Sequence, residues 1–365
     1  MKLLIGGGGT GGHVFPAIAI AQAVKAAAPD TQILFVGAKD KIEMEKVPAA
    51  GFDIIGLPAA GIQRKLSIKN ISLAFKLVVC MVKSRRIIRQ FKPDVAIGVG
   101  GYASGPILRA ASKAGVPIFI QEQNGHAGVT NKLLASRAVK IFTAYHNMDK
   151  YFTKEKTVFT GNPVRSDILD CKASKEEALQ HFGLTNDKLT VLSVGGSLGA
   201  GTINKAVFNA LDKFKQRGDV QVIWQTGKFY FDEIDSKLKN ADYPFLKYSA
   251  FIKRMDLAYR AADVVVSRSG ALSVSELCLA GKPVIFIPSP NVAEDHQTKN
   301  AMALVNENAA ELLTDARASE KLFEMVSQLL DDSQKRDTFS KNISKLAMPD
   351  SAFIIAREII NFAKR

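Results

Sequence analysis

His13 closes the run GGGGTGGH, in which every side chain but that of Thr10 is stripped away before an imidazole is presented. An imidazole can take a proton from a hydroxyl near neutral pH, so His13 is a candidate general base. A helix-capping or core histidine is the plain alternative. Glu122, in QEQN, is the second candidate for the base. In the other half of the chain, SRSGALSVSE sets Ala271, Leu272 and Ser273 directly after a Ser269-Gly270 turn, where the amides of a helix start attract phosphate oxygens. Glu276 follows one turn later, placed either to accept two ribose hydroxyls or to close a capping box with Ser273. GGSLGAG presents Ser197 in another phosphate-facing turn, and GNPVR supplies the Arg165 guanidinium, which can bridge phosphate oxygens. PNVAEDHQTKNA adds His296 and Gln297 as side chains able to read sugar hydroxyls. These residue types suit a nucleoside diphosphate that carries a hydroxyl-rich group, with a base beside it.

A dinucleotide site is the competing phosphate chemistry, because Gly6, Gly8 and Gly11 satisfy GxGxxG. Against it, the glycines exceed what that fingerprint needs, and the second strand, QILFVGA, does not end on the expected ribose-binding carboxylate. There is no Asp-x-Asp pair to hold a divalent ion on a diphosphate, so no metal and no cofactor is expected.

Strand ends must present such residues. KLLIGGGG, QILFVGA, DVAIGVGG, PIFIQEQN, KIFTAY and TVFTGNP read as strands, separated by helical stretches such as AIAIAQAVKAAA and PILRAASKAG. The pattern restarts at LTVLSVGGSLGAGTINKAVFNAL and continues through VQVIWQTG, FLKYSAF, VVVSRSG and PVIFIPSP. The expected fold is α/β, with two Rossmann-like doubly wound domains facing a cleft. Asn162-Pro163 marks the break, giving residues 1–164 and 165–344, with a C-terminal helix within 345–365 joining the first domain.

At 365 residues the chain exceeds one ordinary core, and 47% hydrophobic with 23% charged residues is a globular balance. Cys80, Cys171 and Cys278 lie far apart with no metal-ligand spacing, as in a reducing compartment. Met1-Lys2 leads straight into a strand without the apolar core of a secretion signal, so a cytoplasmic location is expected. The net charge of +14 asks for an anionic partner. From Ile54 to Pro93 there is no acidic residue, while residues 62–92 carry Arg64, Lys65, Lys69, Lys76, Lys83, Arg85, Arg86, Arg89 and Lys92 among apolar side chains. A helix with a solvated basic face is the simplest reading. A surface lying on anionic lipid also accounts for the missing acids, and no nucleic-acid motif accompanies the run.

Taken in order, GGTGGH, GVGGYASGP, QEQN, GNPVR, GGSLGA, SRSGALSVSE and HQTKNA closely resemble the family 28 glycosyltransferases of peptidoglycan synthesis. The likeness runs from Lys2 to about residue 301. It implies a GT-B fold and transfer of N-acetylglucosamine from UDP-GlcNAc to a lipid-linked muramoyl-pentapeptide (lipid I), giving lipid II. It also implies Phe251 and Ile252 at the uracil, with backbone hydrogen bonds from Ile252, and Glu276 at the ribose. Ala271, Leu272, Ser273, Ser197 and Arg165 would surround the diphosphate, Val274 and Ser275 would belong to the same UDP-GlcNAc site, and Gln297 would read the sugar. Thr10, Gly11, Gly12 and Asn124 would complete the donor site, while Gly100, Gly101 and Tyr102 would meet the acceptor diphosphate. A bulky residue at Gly101 would then raise the acceptor KM more than the donor KM. The family commonly has glutamine where this chain has His296 and Leu198.

An α-linked donor and a β-linked product require inversion, hence one in-line displacement with a base. The resemblance places the enzyme peripherally on the cytoplasmic face of the plasma membrane, with other cell-wall enzymes as candidate partners. Two rivals remain at this stage: another sugar-nucleotide enzyme of the same architecture, such as a UDP-GlcNAc epimerase or a lipid glucosyltransferase, and a non-catalytic nucleotide sensor with no use for His13.

Overall fold

A computed structural model describes residues 1–59, 69–292 and 295–364, with side chains from residue 77 onward in the helix that opens at Lys69. The chain divides into two compact units, Met1–Arg165 with Met348–Arg365, and Ser166–Ala347. The first carries β1 (Lys2–Gly6), β2 (Gln32–Ala38), β3 (Asp53–Leu57), β4 (Val95–Gly98), β5 (Ile118–Glu122), β6 (Ala138–Thr143) and β7 (Thr157–Phe159). They form one parallel sheet in the order β3-β2-β1-β4-β5-β6-β7. The second carries β8 (Leu189–Val194), β9 (Val220–Gln225), β10 (Leu246–Ser249), β11 (Val264–Ser267), β12 (Val284–Phe286) and β13 (Glu311–Leu312). Its sheet is parallel throughout, in the order β10-β9-β8-β11-β12-β13.

Helices cover both faces of each sheet, which is why inner strands such as VAIG and VQVIWQ are buried at every residue instead of alternating. In the first unit, Leu3, Ile5, Phe35 and Ile97 pack with the helices Gly11–Ala27 and Ser351–Ala363. On the opposite face, Leu4, Val36 and Ile120 pack with Lys69–Phe91 and Ser104–Lys113. Trp224, fully buried, anchors the core of the second unit. Strands β3 and β13, which the hydrophobic pattern does not single out, are short edge strands whose side chains, fully buried Leu57 apart, are at most partly covered.

The division falls one residue later than the Asn162-Pro163 break suggests, so Arg165 belongs to the first unit. The chain returns at Met348, because the helix Ser333–Lys345 stays with the second unit, whose core Phe339 joins. Strand order reverses between β1 and β4 in one unit and between β8 and β11 in the other. Ligands of open parallel sheets bind at the carboxyl ends of strands at such points.

Candidate functional site

At the reversal in the first unit, β1 runs into the glycine turn and the helix Gly11–Ala27, capped by extended Thr10. Thr10 Oγ1 lies 3.2 Å from His13 Nδ1. When Nδ1–H donates to Thr10, the Nε2 lone pair is the basic one. Nε2 and Cδ2 lie against the β4 turn so closely that a Cβ on Gly100 would sit 3.0 Å from each. His13 is half-buried, and desolvation pushes its imidazole down to about 4, so it is neutral at physiological pH and able to accept a proton. Gly101, at φ +84°, meets the first turn backbone to backbone, since a Cβ there would lie 2.1 Å from the Gly8 carbonyl oxygen. Gly100 and Gly101 therefore serve the mutual packing of the two turns. Tyr102 next to them is exposed. Gly11 is half-covered and Gly12 exposed. Arg165 stacks over the Phe15 ring of the same helix, its guanidinium 4.7 Å from the ring centroid.

Glu122 has another task. Its oxygens accept from the backbone N–H of Asn124 and Gly128 and from the Asn131 amide, at 3.1, 2.9 and 2.8 Å. Burial pushes its carboxyl up, opposed by these hydrogen bonds. A carboxylate so enclosed shapes the turn after β5 and presents no lone pair outward, which leaves His13 as the better-placed base. The two glutamines of QEQN are also structural. Gln121 donates to Asn162 Oδ1, Asn162 donates to the Gln123 carbonyl, and Gln123 donates to that of Val99, so QEQN and GNP form one buried amide network.

At the second reversal the helix Ala271–Ala280 begins after Gly270 and ends at left-handed Gly281. Its ladder opens with Val274 N–H to the Gly270 carbonyl, so the N–H groups of Leu272 and Ser273 precede it and can face an anion. Gly270 occupies the N-cap, which rules out the capping box: Ser273 is the third helical residue and cannot cap. Glu276 is buried and accepts instead from the Tyr259 hydroxyl at 3.1 Å. Val274 is buried, and the Ser275 hydroxyl donates to the Ala271 carbonyl. Ser197 is half-buried in the turn after β8, with Leu198 exposed beside it.

Phe251 is half-buried and Ile252 buried. The Ile252 N–H already donates to Gln225 Oε1 at 2.9 Å, so its carbonyl is the backbone group left for a base edge. Gln297 accepts from Ser289 N–H through its side-chain oxygen, which leaves the amide NH2 to meet a hydroxyl. His296 is half-buried and opens the helix His296–Val305, and Asn124 is half-buried after β5.

Sequence reasoning missed two organisers. Glu43, 1% exposed, accepts from Gly9 N–H and Ala38 N–H at 2.8 Å each. It lies five residues beyond the end of β2, after Asp40, but both its oxygens are spent on backbone, so it does not serve a ribose. Gln225 receives Ile252 N–H and donates to the Gly196 carbonyl at 3.0 Å, tying the Ser197 turn to the Phe251-Ile252 segment. A polar residue ending an otherwise apolar strand, WQTG, was the available signal.

Two doubly wound units with a glycine turn and a helix start at each reversal are the architecture of GT-B glycosyltransferases. The glycosyltransferase family 28 N-terminal domain matches residues 3–143 and the C-terminal domain matches residues 190–352. The chain belongs to glycosyltransferase family 28. It is 53% identical to the UDP-N-acetylglucosamine--N-acetylmuramyl-(pentapeptide) pyrophosphoryl-undecaprenol N-acetylglucosamine transferase of Bacteroides fragilis, over 100% of this chain and 96% of that one. The protein of the same name from Flavobacterium psychrophilum is 50% identical, over 100% and 98%. Among solved structures, Acinetobacter baumannii MurG matches with a TM-score of 0.73 at 27% identity, over 99% of each chain. A UDP-GlcNAc 2-epimerase from Neisseria meningitidis matches with a TM-score of 0.71 at 14% identity, over 99% and 100%, a likeness of fold alone.

Proposed function

We propose that this chain moves N-acetylglucosamine from UDP-GlcNAc to the C4 hydroxyl of the muramoyl residue of lipid I, with inversion, to form lipid II. The observation that carries the reading is the placement of its chemistry-bearing residues at the two points where strand order reverses. The second unit holds the donor: Ile252 and Phe251 at the uracil, Glu276 at the ribose, Ser197 with the Leu272 and Ser273 amides at the diphosphate, and Gln297 at the sugar. Arg165, Thr10, Gly11, Gly12 and Asn124 complete donor binding from the first unit. His13 takes the proton of the attacking hydroxyl, a role worth about 10²–10⁴-fold. Fixed amides and the guanidinium stabilise departing UDP. The acceptor diphosphate meets Tyr102 and the β4 turn.

The enzyme acts as a peripheral protein at the cytoplasmic membrane face. No described helix is long and apolar enough to cross a membrane. Leu77, Val78 and Val82 are exposed beside Lys83, Arg85, Arg86 and Arg89 on one helix, a combination that suits anionic lipid at roughly 1 kcal/mol per basic residue. The earlier part of the 62–92 run, to Ile68, lies outside the described residues, as do the side chains to Lys76.

UDP release from UDP-GlcNAc, measured with and without a short-prenyl lipid I analogue, tests the proposal. Release only with the acceptor, together with a β-linked disaccharide, is the expected result. Release without acceptor overturns it in favour of a hydrolysing epimerase. Donor binding with no turnover favours a sensor.

A further inference from the structure

The loops after β5 and β6 carry a cationic cluster that none of the chemistry above uses. Lys132 Nζ and Lys150 Nζ stand 5.3 and 4.9 Å from the centroid of one ring, that of Tyr151. Two ammonium groups are thus held within about 10 Å of each other. Among the described residues neither has a carboxylate at ion-pair distance, whereas many other lysines here, such as Lys140 and Lys175, do. The ring is itself fixed. Its hydroxyl is hydrogen-bonded to His126 Nδ1, and the imidazole packs edge-on at 4.8 Å between centroids. Two ammonium groups beside one anchored ring, with no carboxylate at ion-pair distance, make the patch attractive to an anion.

We infer that His126, Lys132, Lys150 and Tyr151 form a subsite for a carboxylate of the acceptor's peptide stem. The inference rests on the proposal that the first unit binds the acceptor. In sheet order, β5 and β6 stand two and three strands from β1, whose turn carries His13. At about 4.8 Å per strand that is roughly 10–14 Å. A pentapeptide reaches about 17 Å when extended, so a stem attached beside the reacting hydroxyl spans the interval. The helix that carries Lys132 also carries Asn131, which lies close to Gly100 beside His13, so that helix borders the candidate base.

The test compares the enzyme with its Lys132→Gln/Lys150→Gln variant on two soluble short-prenyl acceptors, one with free stem carboxylates and one with them amidated. Both lysines are exposed, so the variant is expected to fold. The unmodified enzyme should show an acceptor KM at least about tenfold lower for the carboxylate form, and the variant should lose that preference with its donor KM unchanged. Equal losses on both acceptors, or no preference in the unmodified enzyme, overturn the subsite. A defect that appears only with vesicle-borne acceptor, in step with weaker binding to phosphatidylglycerol vesicles, overturns it in favour of a lipid contact, which exposed Val129 and Leu133 nearby would then serve. Turnover of the amidated acceptor by the unmodified enzyme reports the acceptor assignment separately. Failure there strikes that assignment, while loss of carboxylate preference alone strikes only the subsite.

Discussion

His13 owes its state to its neighbours. Burial pushes its pKa from 6.5 to about 4, so the folded enzyme holds this candidate base unprotonated through the neutral range. The acid limb of kcat/KM should therefore not fall at the ordinary histidine value: the rate should stay level from about pH 7.5 to about 5.5. A limb centred near 6.5 would contradict the assignment. The same shift has a stability consequence. Below pH 6.5 the unfolded chain binds a proton that the folded one refuses until about 4, so stability falls as pH drops through that window. His13→Gln should lower kcat by about 10²–10⁴-fold, leave UDP-GlcNAc binding intact, and lose less melting temperature between those two pH values. Glu122 teaches the reverse lesson, because a buried acid in a promising motif is committed to three donors of its own loop.

Turns, at the next scale, act in pairs. Gly101 meets Gly8 backbone to backbone, so even Gly101→Ala forces the β1 and β4 turns apart and adds strain at φ +84°. It should cost about 1–3 kcal/mol or more in thermal unfolding, and lower kcat as well as raise acceptor KM. The substitution is therefore a poor probe of acceptor binding alone, contrary to the expectation from sequence. Tyr102, exposed beside it, is the better position for such a probe. In the second unit Gln225 bridges the Gly196 carbonyl and the Ile252 amide. Gln225→Ala should raise donor KM through both the uracil and diphosphate segments, and cost about 1–3 kcal/mol from the buried N–H left unpaired. An unchanged donor KM in steady-state kinetics would show that those segments hold their places without it.

Across the whole molecule, the C-terminal helix Ser351–Ala363 lies in the first unit, against Gly11–Ala27, the helix that carries His13. Ile355 and Ile359 are fully buried there. Ile355→Ala should cost about 2–5 kcal/mol and, by loosening that helix, reduce turnover before it reduces donor binding. Chemical denaturation followed alongside activity would check both. The exposed face of Lys69–Phe91 makes a separate prediction. Val82→Asp should weaken binding to anionic vesicles and transfer to vesicle-borne acceptor, with turnover of a soluble short-prenyl acceptor unchanged. Equal loss with both acceptors would move that residue's role from the lipid surface to the fold.

Much of this was legible in one dimension because parallel strands buried on both faces are continuous apolar runs, and glycine turns at their ends have few other uses. The two doubly wound sheets, the helix from Ala271 to Gly281 and the candidate residues at both reversals follow from such local signals. Partnership was not legible. That Glu43 spends its oxygens on Gly9 and Ala38, that Tyr259 and not Ser273 engages Glu276, and that Gln225 consumes the Ile252 amide are contacts between segments whose separation along the chain hides them. Edge strands β3 and β13 escaped because runs of five and two residues carry too little pattern to stand out from the loops around them. Residue type sets what a group can do chemically. Which lone pairs and protons remain to do it depends on neighbours that only folding brings within hydrogen-bond reach.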